Sequence, residues 1–195
     1  MLSYKESLKI LKETDALLEG HFILSSGLHS KQYVQCAKLL SHPNHATNIC
    51  GSLSEKIKNE IKEIDLILTP AIGGIVVGYE LGRQLKTETI FAERVEGKFV
   101  LRRGFEIAKN SKVLVVEDVI TTGNSALECS KIIKNYKAEL IGFACIIDRS
   151  NSSLLIKNKI ISQVKLKIET FKENELPNDL KQIKPIKPGS RNISK

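Results

Sequence analysis

Two kinds of pattern alternate along this chain. Residues 65–69 (DLILT), 90–93, 113–116 (VLVV) and 140–148 (LIGFACIID) are short apolar runs with almost no polar interruption. A strand with one wet face alternates apolar and polar positions, whereas an unbroken run marks a strand covered on both faces of a parallel sheet. Between these runs, residues 75–85 read as a helix. After the third run, Ala126, Cys129, Ile133 and Tyr136 recur on one helical face, with Ser130, Lys131, Lys134 and Asn135 on the other. Strands alternating with helices predict an α/β fold: a parallel sheet flanked by helices. Ahead of this core the pattern predicts a helix over residues 4–12, a polar, hydroxyl-rich segment over 20–35 and a helical stretch over 44–64. Behind it come a strand-like stretch over 159–167 and a polar tail with Pro177, Pro185 and Pro188, expected to be loosely held. No repeat or long linker divides the chain, so a single domain over residues 1–195 is expected.

The chemistry is densest after residue 116. Glu117 and Asp118 follow the apolar run at the carboxyl edge of the expected sheet, where open α/β sheets bind ligands. Adjacent carboxylates there can accept hydrogen bonds from the two hydroxyls of a ribose, or face a hydrated Mg²⁺. Val119 and Ile120 lead into Thr121, Thr122, Gly123, Asn124 and Ser125, which supply hydroxyls and a backbone that a ligand can approach. Ser125 with Glu128 fits a capping box opening the next helix. Amides at a helix N-terminus attract phosphate. An ordinary strand-to-helix turn with an acidic end is the plain alternative. The apolar run with two acids also matches the first strand of a receiver domain, but here more than half the chain precedes it. No GxxxxGK[ST] and no GxGxxG after a strand is present, which excludes those two nucleotide loops.

Composition narrows the function classes further. The chain has 195 residues, is 42% hydrophobic and 27% charged, and contains no apolar run approaching a bilayer span. Residues 1–20 alternate acids and bases with no apolar secretory core, so a cytoplasmic protein is expected. Cys36, Cys50, Cys129 and Cys145 include no CxxC pair and read as reduced core thiols. His42 and His45 lack further ligands at metal-binding spacing. The net charge of +8 raises a nucleic-acid reading, but the lysines are scattered and aromatics make up only 5%. A basic surface equally suits a polyphosphate substrate, by steering.

Residues 113–125 (VLVVEDVITTGNS) resemble the phosphoribosyl-pyrophosphate (PRPP) motif of type I phosphoribosyltransferases. The resemblance implies that Glu117 to Ser125 hold the ribose and 5′-phosphate of PRPP. Residues 70–74 (PAIGG) match the loop that holds pyrophosphate in that family, here through Ile72 and Gly73. Residues 20–33 (GHFILSSGLHSKQY) resemble the N-terminal hood segment of orotate phosphoribosyltransferases, which lies over the acceptor base. Ser25, Ser26 and Gly27 can present donors to a carbonyl-rich ring and Tyr33 can cover its face. An edge hairpin with a Ser-Gly turn is the alternative. The Asp148-Arg149 pair matches one whose arginine binds the orotate carboxylate in the family, beside Thr121. A surface arginine paired with a neighbouring acid is the plainer reading.

Residues 92–105 form two arms around Glu96-Gly97, a turn signal, at the position of the family's mobile catalytic loop. The resemblance implies a flexible loop over about residues 94–104, with Arg94 and Lys98 as catalytic candidates and Arg102 and Arg103 nearby. It also implies a hood from about residues 1–40 plus the C-terminal segment, a homodimer, and Mg²⁺ held mainly through PRPP without direct side-chain ligation. The function implied is transfer of the phosphoribosyl group of PRPP to orotate. No nucleic-acid or membrane partner is expected. A transferase for another base, and a regulator using the fold to sense PRPP, are the alternatives. Many family members carry lysines where this chain has Ser25 and Gly73, and a longer loop than this one.

Overall fold

The computed structural model describes residues 1–24 and 26–188. Helix α1 (Tyr4–Glu13) opens with a capping box in which Ser3 Oγ accepts from the Glu6 amide and the Glu6 carboxylate accepts from the Ser3 amide. A hairpin of β1 (Leu17–Ile23) and β2 (His29–Val34) follows, then α2 (Cys36–Leu40) and α3 (Pro43–Glu60). The core elements are β3 (Leu66–Pro70), α4 (Gly73–Leu85), β4 (Glu88–Val95), β5 (Lys98–Leu101), β6 (Lys112–Ile120), α5 (Asn124–Asn135), β7 (Glu139–Asp148) and β8 (Ile160–Lys165). A short β9 (Thr170–Phe171) and α6 (Asn178–Lys181) come last.

Six strands form the main sheet in the order β5-β4-β3-β6-β7-β8, every pair parallel except the antiparallel edge strand β5. Two apolar layers explain the unbroken runs. On one face Leu114 and Val116 of β6 join a cluster with Leu53, Ile57, Val77 and Leu81 from α3 and α4. On the other, Val113 and Val115 join Ile90, Cys129, Ile133 and Phe143. Successive strand residues point to opposite faces, so a strand buried on both has no position for a polar side chain. Each fully buried aliphatic side chain contributes about 1.5–3 kcal/mol. Because β3, β4, β6, β7 and β8 run the same way, their carboxyl ends share one edge.

The second sheet, β1-β2-β9, is antiparallel and joins the N-terminal hairpin to a strand from the C-terminal segment. Buried His21 and His29 meet there, with ring nitrogens 2.7 Å apart, and His21 Nδ1 lies 2.8 Å from the Ile183 carbonyl. The Ile23 amide donates to the Ile186 carbonyl, and the Ile186 amide to that of His21. The segment expected to be loose is therefore held as far as Ile186, because the edge of β1 offers it backbone partners and Leu180 of α6 is buried. Two further expectations change. The buried face of α5 is Ala126, Cys129, Ile132 and Ile133, with Tyr136 exposed beyond the helix end. The stretch after β2 also contains α2, which the helical pattern over residues 44–64 did not include.

Candidate active site

Strand β6 carries the two acids into the ligand edge before it ends. Glu117 and Asp118 lie inside the strand, which runs on to Ile120, and Glu117 stands beside Cys145 of β7. Glu117 is buried and its Oε1 has no hydrogen-bond partner among the described residues. Burial first, and then the neighbouring Asp118 carboxylate, push the Glu117 carboxyl up to about 8. Burial also raises Asp118, although its carboxylate accepts from the Val119 amide at 2.9 Å. These two acids carry unspent acceptor capacity at the place where a diol can donate to it.

Thr121 and Asn124 are exposed and Thr122 and Ser125 half-buried, so the loop after β6 is open. Helix α5 starts at Asn124, and its N-cap is Gly123 in the left-handed conformation (φ +80°) without a side-chain cap bond. The capping box expected at Ser125 and Glu128 is not formed: glycine occupies the cap position ahead of Ser125, and Glu128 turns to another partner. The first amides of α5 thus have no intrahelical or side-chain acceptor, and with the helix dipole they form an anion seat. Gly123 is needed twice over, since a Cβ there would lie 2.7 Å from Ile156. The Leu155 amide also donates to the Thr122 carbonyl at 2.9 Å. This support from residues 154–156 was missed in the sequence, where the LLI triplet in a polar stretch was its only signal.

The turn from β3 into α4 brings a second backbone surface to the same place. Ile72 is exposed, and a Cβ on Gly73 would sit 3.0 Å from Asp118 Oδ2, so this loop lies against the acid of β6. Adjacent pairing of β3 with β6 puts it there.

Arg149 follows β7 directly. Ile120 pairs with Asp148, and the Arg149 amide donates to the Ile120 carbonyl at 2.8 Å, so Arg149 and Thr121 emerge side by side. Its Nε is buried with no hydrogen-bond partner, and no carboxylate among the described residues forms an ion pair with it. Asp148 instead accepts from the Ser150 amide and faces Lys165 at 3.4 Å. Burial holds the Arg149 guanidinium below its ordinary value, while Tyr33 and Cys36 are near enough to act against that shift. Cys36 Sγ in turn contacts the Asp118 carbonyl at 3.8 Å, which joins the end of the hairpin to the acids. The plainer reading of Arg149, a surface arginine paired with an acid, does not hold among the described residues.

The hood residues divide. Tyr33, half-buried with its ring centre 5.7 Å from that of the tilted Phe22 ring, stands at the site end of β2. Ser26 and Gly27 form the exposed tip at the other end, where the Gly27 amide donates to the Leu24 carbonyl and the Leu28 amide to Ser26 Oγ. Ser25 lies outside the described residues. On the far side of the sheet, β4 and β5 make the expected hairpin, with both Glu96 and Gly97 at positive φ as a tight turn between twisted strands requires. Arg94 contacts Glu128 through both terminal nitrogens at 3.2 Å, and Arg103 binds Glu93 at 2.7 Å. Lys98 has no ion pair among the described residues.

No group of three or more His, Cys, Asp or Glu among the described residues could hold a metal ion by itself. Glu117 and Asp118 are the acids at the site that could face one carried by a ligand. No described helix is long and apolar enough to cross a membrane.

Comparison with known proteins shows the family. Residues 36–180 match the family model of the phosphoribosyl transferase domain. Over 186 residues the chain is 48% identical to an orotate phosphoribosyltransferase of Caldicellulosiruptor saccharolyticus, covering 95% of this chain and 96% of that protein. It is 44% identical over 190 residues to one from Parvibaculum lavamentivorans, covering 95% and 98%. The crystal structure of orotate phosphoribosyltransferase from Aeropyrum pernix superimposes with a TM-score of 0.67 at 22% identity, over 82% of this chain and 93% of that one, a likeness of fold. By the family model and by identity over nearly its whole length, the chain belongs to the phosphoribosyl transferase family, in the branch of the orotate phosphoribosyltransferases.

Proposed function

We propose that this chain transfers the phosphoribosyl group of PRPP to orotate, forming orotidine 5′-monophosphate and pyrophosphate in de novo pyrimidine biosynthesis. The observation that carries the choice of acceptor is Arg149: a partly buried cation without a counter-ion among the described residues, one strand away from an open anion seat. Burying a charge is costly unless it is paired, and a ligand carboxylate at this edge supplies the pair. Orotate bears a carboxylate where uracil has none.

In this reading the amides of Thr121, Thr122, Gly123, Asn124 and Ser125 receive the 5′-phosphate. Glu117 and Asp118, with Val119 and Ile120 completing the strand, accept from the ribose hydroxyls, and Ile72 and Gly73 line the pyrophosphate. Arg149 and Thr121 hold orotate beneath Tyr33, with Ser26 and Gly27 reaching the base only if the hairpin tip folds over it. As the bond from C1′ to pyrophosphate lengthens, orotate N1 attacks the opposite face of an oxocarbenium-like ribose. If N1 enters as the anion, no general base is required, and the protein's part is positioning and electrostatic stabilisation. Mg²⁺, carried mainly by PRPP and facing Glu117 and Asp118, would neutralise charge on the departing pyrophosphate. The hairpin over about residues 94–104, with Arg94 and Lys98, adds positive charge on that side.

We take residues 1–195 to act as one domain, with a hood from about residues 1–40 plus the C-terminal segment, in a cytoplasmic homodimer. The exposed Val76 and Tyr79 of α4 offer apolar surface for the second copy. The deciding experiment incubates the protein with PRPP, Mg²⁺ and orotate, uracil and adenine together. Orotidine 5′-monophosphate should be the dominant product, and equal use of uracil or adenine would defeat the proposal.

A further inference from the structure

The aspartate of the Asp148-Arg149 pair takes no part in the chemistry described so far, yet each of its three oxygens has a partner. Its backbone carbonyl accepts from the Leu166 amide at 2.8 Å. One carboxylate oxygen accepts from the Ser150 amide at 2.8 Å, and the other lies 3.4 Å from Lys165 Nζ. Only 4% of the residue is exposed. A carboxylate that accepts from the amide two residues on closes an Asx turn, a geometry that Asp and Asn make readily and serine more weakly. The turn spans residues 148–150, so Arg149 is its middle residue.

That placement fixes Arg149 from both sides. The peptide unit before its Cα is anchored to β6, where the Arg149 amide donates to the Ile120 carbonyl, and to the Leu166 amide through the Asp148 carbonyl. The unit after it is anchored to the Asp148 carboxylate through the Ser150 amide. The direction of the Arg149 side chain follows, towards Tyr33 and Cys36, with its Nε buried and unpartnered among the described residues. Asp148 does not neutralise its neighbour, because its carboxylate is spent on Ser150 and Lys165. An arginine side chain has many rotamers, and a clamp built from one keeps its angle only if the backbone beneath it is held.

Resting on the proposed function, we infer that Asp148 is a positioning residue for the acceptor base: its Asx turn aims Arg149 at the orotate carboxylate, so the acid governs the choice of base without touching it. Breaking the turn should weaken the hold on orotate. PRPP, held by residues 117–125, should be bound nearly as before. Lys165 faces Asp148 from an exposed position, with 71% of its side chain open to solvent, and contributes little. The working contact is the hydrogen bond to the Ser150 amide.

The test is steady-state kinetics with PRPP, Mg²⁺ and either orotate or uracil, each variant also being melted. The variants are Asp148→Asn, Asp148→Ser, Asp148→Ala, Arg149→Ala and the double variant of the last two. Because a slightly misaimed binding group is costly, kcat/KM for orotate should fall about 10- to 30-fold in Asp148→Ala, chiefly through KM. The fall should be about fivefold in Asp148→Ser and two- to threefold in Asp148→Asn, which keeps an oxygen for the Ser150 amide. The KM for PRPP and kcat/KM for uracil should stay within about twofold. The double variant should be no worse than Arg149→Ala, because Asp148 acts through Arg149 alone. Equal losses in Asp148→Asn and Asp148→Ala overturn the inference, as do additive losses in the double variant or parallel losses for orotate and uracil. If Asp148→Ala does not fold, the other two decide, and equal orotate kinetics in Asp148→Asn and Asp148→Ser overturn it. Orotate kinetics that fall in Arg149→Ala but not in any Asp148 variant defeat this inference and leave the proposed function standing. Orotate kinetics untouched by Arg149→Ala defeat the proposed role of that arginine, and the inference with it.

Discussion

Replacing Arg149 by alanine should move binding and stability in different ways. The Nε is buried without a partner, no described acid pairs with the guanidinium, and burial already lowers its affinity for a proton. In the free protein the side chain is thus an uncompensated cation, and removing it relieves desolvation while losing the packing of its methylenes. These opposing effects should leave stability within about 1 kcal/mol of wild type, a Tm shift of roughly 2–4 °C for a chain of this size. Orotate binding has no such cancellation. Truncating one partner of a buried charge pair costs about 2–5 kcal/mol, because the other charge is left unpaired. Water entering the shortened pocket should keep the loss in the lower half of that range, so kcat/KM for orotate should fall on the order of 30- to 300-fold. The affinity for PRPP, measured by calorimetry, should change little. Arg149→Lys should recover only part of the activity, since an ammonium cannot offer the two-pronged geometry of a guanidinium. The comparison substrate is uracil, whose slow reaction should be nearly indifferent to the change, so discrimination between the two bases should collapse. Orotate kinetics that survive Arg149→Ala would refute the assignment, as would a loss of activity that merely follows a large fall in Tm.

Two further outcomes concern the sugar-phosphate side. Glu117 titrates near 8 when folded against 4.5 as its ordinary value, so the neutral carboxyl is favoured in the ligand-free protein. Stability should therefore be full below about pH 4.5 and decline as pH rises towards 8, by at most about 5 kcal/mol from this group. Glu117→Gln should accordingly raise Tm relative to wild type at pH 8 but not at pH 4.5, and an equal effect at both would contradict the shift. Gly123→Ala forces a left-handed alanine and places a methyl 2.7 Å from Ile156. The strain and overpacking together should cost about 2–4 kcal/mol by chemical denaturation. Ile156→Ala should relieve part of that cost, and full additivity would argue against the contact.

The layered α/β core and the gathering of the candidate site residues at one sheet edge were legible in the sequence for a local reason. A strand covered on both faces must be apolar throughout, and Val113 to Val116 meet that condition between two packed clusters. The acids, hydroxyls and glycine that follow are contiguous, so their joint arrival at one sheet edge needed only the strand direction. Glu96-Gly97 likewise declared its turn, because two successive residues at positive φ favour that kind of dipeptide. What stayed hidden depends on partners distant in sequence. Gly123 displaced the cap expected at Ser125, and Glu128 was free to meet Arg94, 34 residues away. The tail became ordered through β1, some 160 residues earlier, and the hairpin left Tyr33 near Arg149 but Ser26 and Gly27 at the opposite tip. Sequence determined which residue types reach the ligand edge, since periodicity and turn chemistry act between neighbours. Tertiary structure alone decided which charges are spent on one another and which, as at Arg149 Nε and Glu117 Oε1, are buried without a partner among the described residues, since burial and pairing are set by elements that meet only in the folded chain.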